Sequence, residues 1–140
     1  MSDPTLKDYP QPRSHPHNRP LIEGWKEGKL LLQHCGDCGA VVFYPRQFCP
    51  DCWSDALEWR QASGRGTVVS YSLVHRPNMP VFLDEVPIVL AEVKLAEGPP
   101  MLTRIVHVDA GTVYSGMPVE VVAPDEAARY PLPTFRPATL

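Results

Sequence analysis

The chain has 140 residues, room for one domain or for a small module and one barrel, and its hydrophobic content of 44% excludes general disorder. Net charge is −3, and residues 66–140 carry five basic against eight acidic side chains, the reverse of what a phosphate-binding barrel needs. No apolar run approaches the roughly 20 residues that span a bilayer, so neither nucleic acid nor membrane is an expected partner.

Residues 1–20 hold five of the 17 prolines, with His15 and His17 among them. This stretch cannot be regular helix and reads as an extended arm, either solvated or lying on a partner. It is polar, unlike a secretory signal. Leu21, Ile22 and Trp25 then place an apolar face on a short helix that Gly28 would end. A helix this short needs something to dock on. Leu30–Leu32 reads as a strand running into Cys35-Gly36-Asp37-Cys38, and Ala40–Tyr44 as the strand leaving it.

Ten residues separate Cys38 from the second pair, Cys49-Pro50-Asp51-Cys52, and these four are all the cysteines of the chain. Two C-x-x-C pairs at this distance fit one tetrahedral zinc held on two knuckles. Two disulfides, or a redox pair, are the alternatives. Neither a secretory pattern nor a βαβ context supports them. Four thiolates close the shell, which makes the zinc structural, with His34 outside it. Reduced, zinc-bound cysteines lead to an expected cytoplasmic location. Phe43, Tyr44, Phe48, Trp53 and Trp59 crowd this module. They build its small core, and an exposed subset would meet a partner or ligand.

Beyond Gly64-Arg65-Gly66 the pattern turns to strands. Thr67–Val74 is predicted with Val69, Tyr71 and Leu73 on one side. Ile88–Leu95 has Val89, Ala91, Val93 and Leu95 inward. Met101–Val106 follows, with Arg104 outward, and then Val119–Val122. Tyr130–Phe135 reads as a last edge segment, and Asp125–Arg129 as one helical turn. The loop from His75 to Pro87 is long and keeps Met79, Val81, Phe82 and Leu83, as a lid or a contact surface would. The fold class is mainly β: an N-terminal helix and zinc ribbon followed by a small OB-fold barrel. The division is an arm over 1–20, helix and ribbon over 21–62, and barrel over 63–140.

Catalytic constellations are missing. There is no G-x-S-x-G elbow, Walker loop or H-E-x-x-H pair, and zinc leaves no cysteine as a nucleophile. His75 or His107 meeting Asp84 or Asp109 is a weak signal.

The ordered set of C-G-D-C-G, Phe43-Tyr44-Pro45-Arg46, C-P-D-C, Trp59, Gly64-Arg65-Gly66, Val74-His75-Arg76-Pro77, Gly116-Met117-Pro118-Val119 and Phe135-Arg136-Pro137 resembles an acyl-CoA-associated family. Its members join a rubredoxin-like zinc ribbon to a C-terminal OB-fold, and the match covers about residues 20–137. The resemblance implies a non-catalytic subunit bound to a thiolase-like protein, helping to form or cover an acyl-CoA site while the partner cleaves an unusual 3-oxoacyl-CoA. Some members pair instead with hot-dog-fold enoyl-CoA hydratases. Partner contacts in the family map to Leu21, Ile22, Trp25, Phe43 and Tyr44. For coenzyme A, Arg46, Arg65, Arg76 and Arg104 offer guanidinium forks to phosphate, and Phe82 an apolar contact to the acyl or pantetheine chain. A nucleic-acid-binding module and a stand-alone enzyme with a cryptic site stay open as rival readings.

Overall fold

A computed structural model describes residues 8–138. Helix α1 runs Arg19–Lys26, with Pro20 in its first turn, where a missing N–H does no harm. Its end is a Schellman turn. Gly28 N–H donates to Trp25 O at 2.8 Å and Lys29 N–H to Gly24 O at 2.9 Å, with Gly28 at φ 81°. Glycine is required here twice over, because a Cβ would also lie 2.6 Å from the Pro124 Cα.

Strands β1 (Leu31–Cys35), β2 (Val41–Val42) and β3 (Leu57–Gln61) form an antiparallel sheet in the order β2-β1-β3. β3 is absent from the sequence reading, although Leu57 and Trp59 alternate with Glu58 and Arg60. Trp59 lies opposite Gln33, so this strand ties the second knuckle back to the first.

The barrel consists of β4 (Arg65–Val74), β5 (Ile88–Leu95), β6 (Pro100–Ile105), β7 (Pro118–Val121) and β8 (Phe135–Pro137), closed in the order β4-β5-β6-β8-β7. This is the expected OB-type barrel. The inward set of β5 is as predicted. In β4 a bulge between Val68 and Ser70 shifts the register. Val68, opposite Val93, is the buried residue of this strand and Leu73 is half-buried, while Val69 and Tyr71, both expected inward, are exposed. The last segment is not an edge. Its prolines precede β8, which inserts between β6 and β7 and closes the cylinder.

Two short 3-10 turns, Pro80–Glu85 and Ala110–Thr112, and helix α2 (Pro124–Ala127) complete the chain. Leu21, Leu30, Leu32 and Phe43 of the helix–ribbon part pack in one continuous core with Val93, Met101, Ile105 and Phe135 of the barrel. The two parts therefore share an interior. The described part of the arm also differs from expectation: it docks on this chain's own barrel. Tyr9 is 8% exposed, its ring stacked on Phe82 at 5.4 Å and on Tyr130 at 6.4 Å. Residues 1–7 of the arm lie outside the described part. No helix among the described residues is long and apolar enough to cross a membrane.

Candidate zinc centre and barrel groove

The two cysteine knuckles have the same construction. Cys35 N–H donates to Ala40 O at 2.8 Å and Gly39 N–H to Cys35 O at 3.0 Å. Cys49 N–H donates to Ser54 O at 2.8 Å and Trp53 N–H to Cys49 O at 2.9 Å. The second knuckle is braced on the first by the Ser54 hydroxyl on the Asp37 carboxylate and by Gly36 N–H on Ala56 O at 2.7 Å.

These loops bring all four sulfurs within 4.8 Å of one another, with Cys35 to Cys52 at 3.6 Å and Cys38 to Cys49 at 3.5 Å. A tetrahedron with Zn–S bonds of about 2.3 Å has edges of about 3.8 Å, so the sulfurs fit one zinc. None of them is disulfide-bonded. The site is a closed four-thiolate shell for one structural zinc per chain, held by Cys35, Cys38, Cys49 and Cys52.

Local dipoles prepare the first ligand. Backbone N–H groups of Cys38 and Asp37 point at the Cys35 sulfur and lower its thiol to about 7. At Cys38 the Ala40 amide acts in the same direction. The hydrogen bond with Cys49 and burial outweigh it and push the thiol up to about 12. Four sulfurs this close cannot all ionise without a cation among them, and the metal supplies that charge.

Buried Gln33 on β1 holds the loop between the knuckles. Its Nε2 donates to Arg46 O at 2.9 Å, and its Oε1 accepts from Arg46 N–H at 2.8 Å. Gln33→Ala leaves both backbone groups without their partner. We expect a loss of about 2 kcal/mol in denaturant unfolding of the zinc-loaded protein, with zinc content unchanged. A stability equal to wild type would show that the bracket contributes nothing.

The residues expected to meet coenzyme A divide into two sets. Arg76, Phe82 and Arg104 line one groove of about 630 Å3 on the outer face of the barrel, floored by Leu90, Leu102 and Leu132. Leu102 is 72% exposed. Arg65 opens β4 outside this groove, and Arg46 stands in the ribbon, its side chain exposed and its backbone in the Gln33 bracket. Arg104 is also engaged from within: its Nη1 lies 2.5 Å from Glu85 Oε1, and the Tyr9 hydroxyl donates to Glu85 Oε2 at 2.6 Å. Burial and the Glu85 carboxylate raise the Tyr9 pKa. Tyr130, on the other flank of Tyr9, is pushed up to about 12 by burial and by Glu126.

Of the residues mapped to a partner, Trp25 is 1% exposed and belongs wholly to the interior. Leu21, Ile22 and Phe43 are buried too, and show only as the floor of a smaller groove beside Tyr44, which is 50% exposed. His107 pairs with Glu126 at 2.5 Å rather than with either aspartate considered, and Asp109 instead accepts from Gly111 N–H at 3.1 Å. Tyr9, Glu85 and Glu126 were missed by sequence reasoning, since Tyr9 with Glu85, Glu85 with Arg104 and Glu126 with His107 join segments that no local pattern links.

Residues 23–58 match the family model of the ChsH2 rubredoxin-like zinc ribbon domain, and residues 59–123 that of the ChsH2 C-terminal OB-fold domain. Over 107 residues the chain is 35% identical to a DUF35 domain-containing scaffold protein of Methanocaldococcus jannaschii, covering 73% of this chain and 75% of that one. The chain belongs to the ChsH2/DUF35 family. The same fold is seen in a chain of the Ltp2-ChsH2(DUF35) aldolase. The TM-score is 0.78 at 34% identity, covering 92% of this chain and 100% of that one. The chain is also 34% identical over 129 residues to a probable enoyl-CoA hydratase alpha subunit of Thermomonospora curvata. That alignment takes in 92% of this chain and 40% of the relative, so the chain spans less than half of that protein's length.

Proposed function

We propose that this ChsH2/DUF35 chain is the non-catalytic subunit of a cytoplasmic hetero-oligomeric enzyme acting on acyl-CoA thioesters. The partner has a thiolase-like fold and carries the nucleophile and base. The observation that carries this reading is the groove of Arg76, Phe82 and Arg104. An apolar trough suits an acyl or pantetheine chain, and a cation at its rim suits a phosphate. Glu85 already matches the Arg104 charge, so exposed Arg76 is the residue assigned to the phosphate. The chemistry is assigned elsewhere because the four cysteines together form the zinc site. Relatives that are an aldolase with a named second component and a hydratase alpha subunit support an accessory role.

A hydratase partner is the second reading, favoured by the name of the Thermomonospora curvata relative. Nucleic acid is disfavoured by the acidic barrel.

Native mass spectrometry of the complex recovered from its own host through a tag on this chain decides among them. We expect a zinc-loaded assembly with a thiolase-like subunit. A hydratase subunit in its place would move the assignment to the second reading. A chain recovered alone, or with nucleic acid only, would overturn the accessory role.

A further inference from the structure

The second zinc knuckle contains a residue that its own fold disfavours. The knuckles repeat each other hydrogen bond for hydrogen bond, and the residue after each second cysteine sits in the left-handed region. In the first knuckle it is Gly39 at φ 79°, which has no Cβ to strain. In the second it is Trp53 at φ 64°. A bulky side chain is an outlier in this conformation, and strained positions of this kind persist mainly where function holds them. Trp53 is also 77% exposed. Its indole makes no core, and the zinc site does not need it. Strain and exposure are both unfavourable to the isolated chain.

We infer that Trp53 is the anchor by which the zinc ribbon seats in a partner protein, in an apolar pocket rimmed by Lys or Arg. The rim follows from charge. Between Arg46 and Arg60 there is no basic side chain, whereas Asp51 and Asp55 stand two residues to either side of Trp53 and Glu58 follows. Two exposed carboxylates flanking the indole along the chain repel phosphate, which disfavours nucleic acid, an anionic bilayer and coenzyme A itself. They equally disfavour a second copy of the same tip. Buried tryptophan in a pocket framed by complementary charge is the usual composition of an interface hot spot. Phe48, exposed on the other arm of the same loop, widens the apolar contact. The inference rests on the accessory-subunit reading, and adds to it the contact point and the chemistry that receives it.

The test uses the zinc-loaded full chain and the partner recovered with it, identified by mass spectrometry and purified. Trp53→Gly gives the second knuckle the residue that the first already has. The variant is expected to keep one zinc and a melting temperature no lower than wild type, while its dissociation constant for the purified partner rises at least about 30-fold. Asp51→Lys with Asp55→Lys is expected to slow association and flatten its salt dependence. An unchanged dissociation constant for Trp53→Gly beside a tight wild-type complex overturns the anchor and leaves the accessory role standing. Loss of zinc or a lower melting temperature in Trp53→Gly makes the residue structural, which also overturns it. A wild-type chain that brings down no partner overturns the accessory role, and the anchor with it. Binding of wild type through Trp53 to single-stranded DNA or to anionic vesicles overturns the charge argument.

Discussion

Cys38→Ser is expected to lose the zinc and unfold far more than the ribbon. A structural zinc in a four-thiolate site contributes about 10–16 kcal/mol of apparent free energy at neutral pH, against a typical total stability of about 5–15 kcal/mol. Three cysteines and a serine leave a site that no longer neutralises its own sulfurs, so the knuckles lose the cross-link that fixes them. Leu30, Leu32 and Phe43 are held by the sheet between those knuckles, and they cover barrel side chains such as Met101 and Phe135. Once they leave, the end of the barrel core is open to water. The variant should therefore contain no stoichiometric zinc by elemental analysis and show no cooperative transition near that of wild type. One zinc per chain with normal thermal stability would mean that the metal is not what holds the ribbon.

Trp25→Ala is the second large effect expected. Trp25 packs with Val106, Val122 and Ala127, and its indole Nε1–H donates to Tyr130 O at 3.1 Å. Truncation removes the largest fully buried side chain and orphans that carbonyl. Comparable tryptophan truncations cost about 3–5 kcal/mol. For a chain of this size that corresponds to a fall of roughly 10 °C or more in melting temperature. Because Tyr130 flanks Tyr9, the arm should loosen as well, seen as faster proteolysis between residues 8 and 18. A loss under about 1 kcal/mol would show that the site collapses around the deletion and that α1 is not anchored here.

The parts legible in the sequence were those with a short-range signature. Cysteine spacing marked the zinc site, alternation marked β5, and a glycine marked the end of α1. β3 carried its signal in Leu57 and Trp59, yet five residues directly after a knuckle are too few to stand out from loop. The bulge in β4 was not legible, because Val68 and Val69 are equally β-branched and only the partner strand decides which one faces in. Long-range pairs were hidden for the same reason. Glu85 with Arg104, Tyr9 with Glu85 and Trp25 with Tyr130 join segments that no local periodicity links. Among the candidate ligand residues, composition could name arginines but not separate Arg76, at the rim of the groove, from Arg104, already matched inside it.

The closure of the barrel by β8 has a consequence for how the molecule comes into being. β8 pairs parallel to β6 and antiparallel to β7, and Phe135 on it is fully buried. A chain made from its N-terminus thus presents both knuckles to zinc while the cylinder still has a gap. Until Phe135 emerges, β6 and β7 each have an unpaired flank, the kind of edge on which nascent chains associate wrongly. The metal-loaded ribbon, whose Leu30, Leu32 and Phe43 share the barrel's core, is the part that can hold this half-made cylinder in register. Synthesis order and zinc uptake are in this way coupled by topology alone.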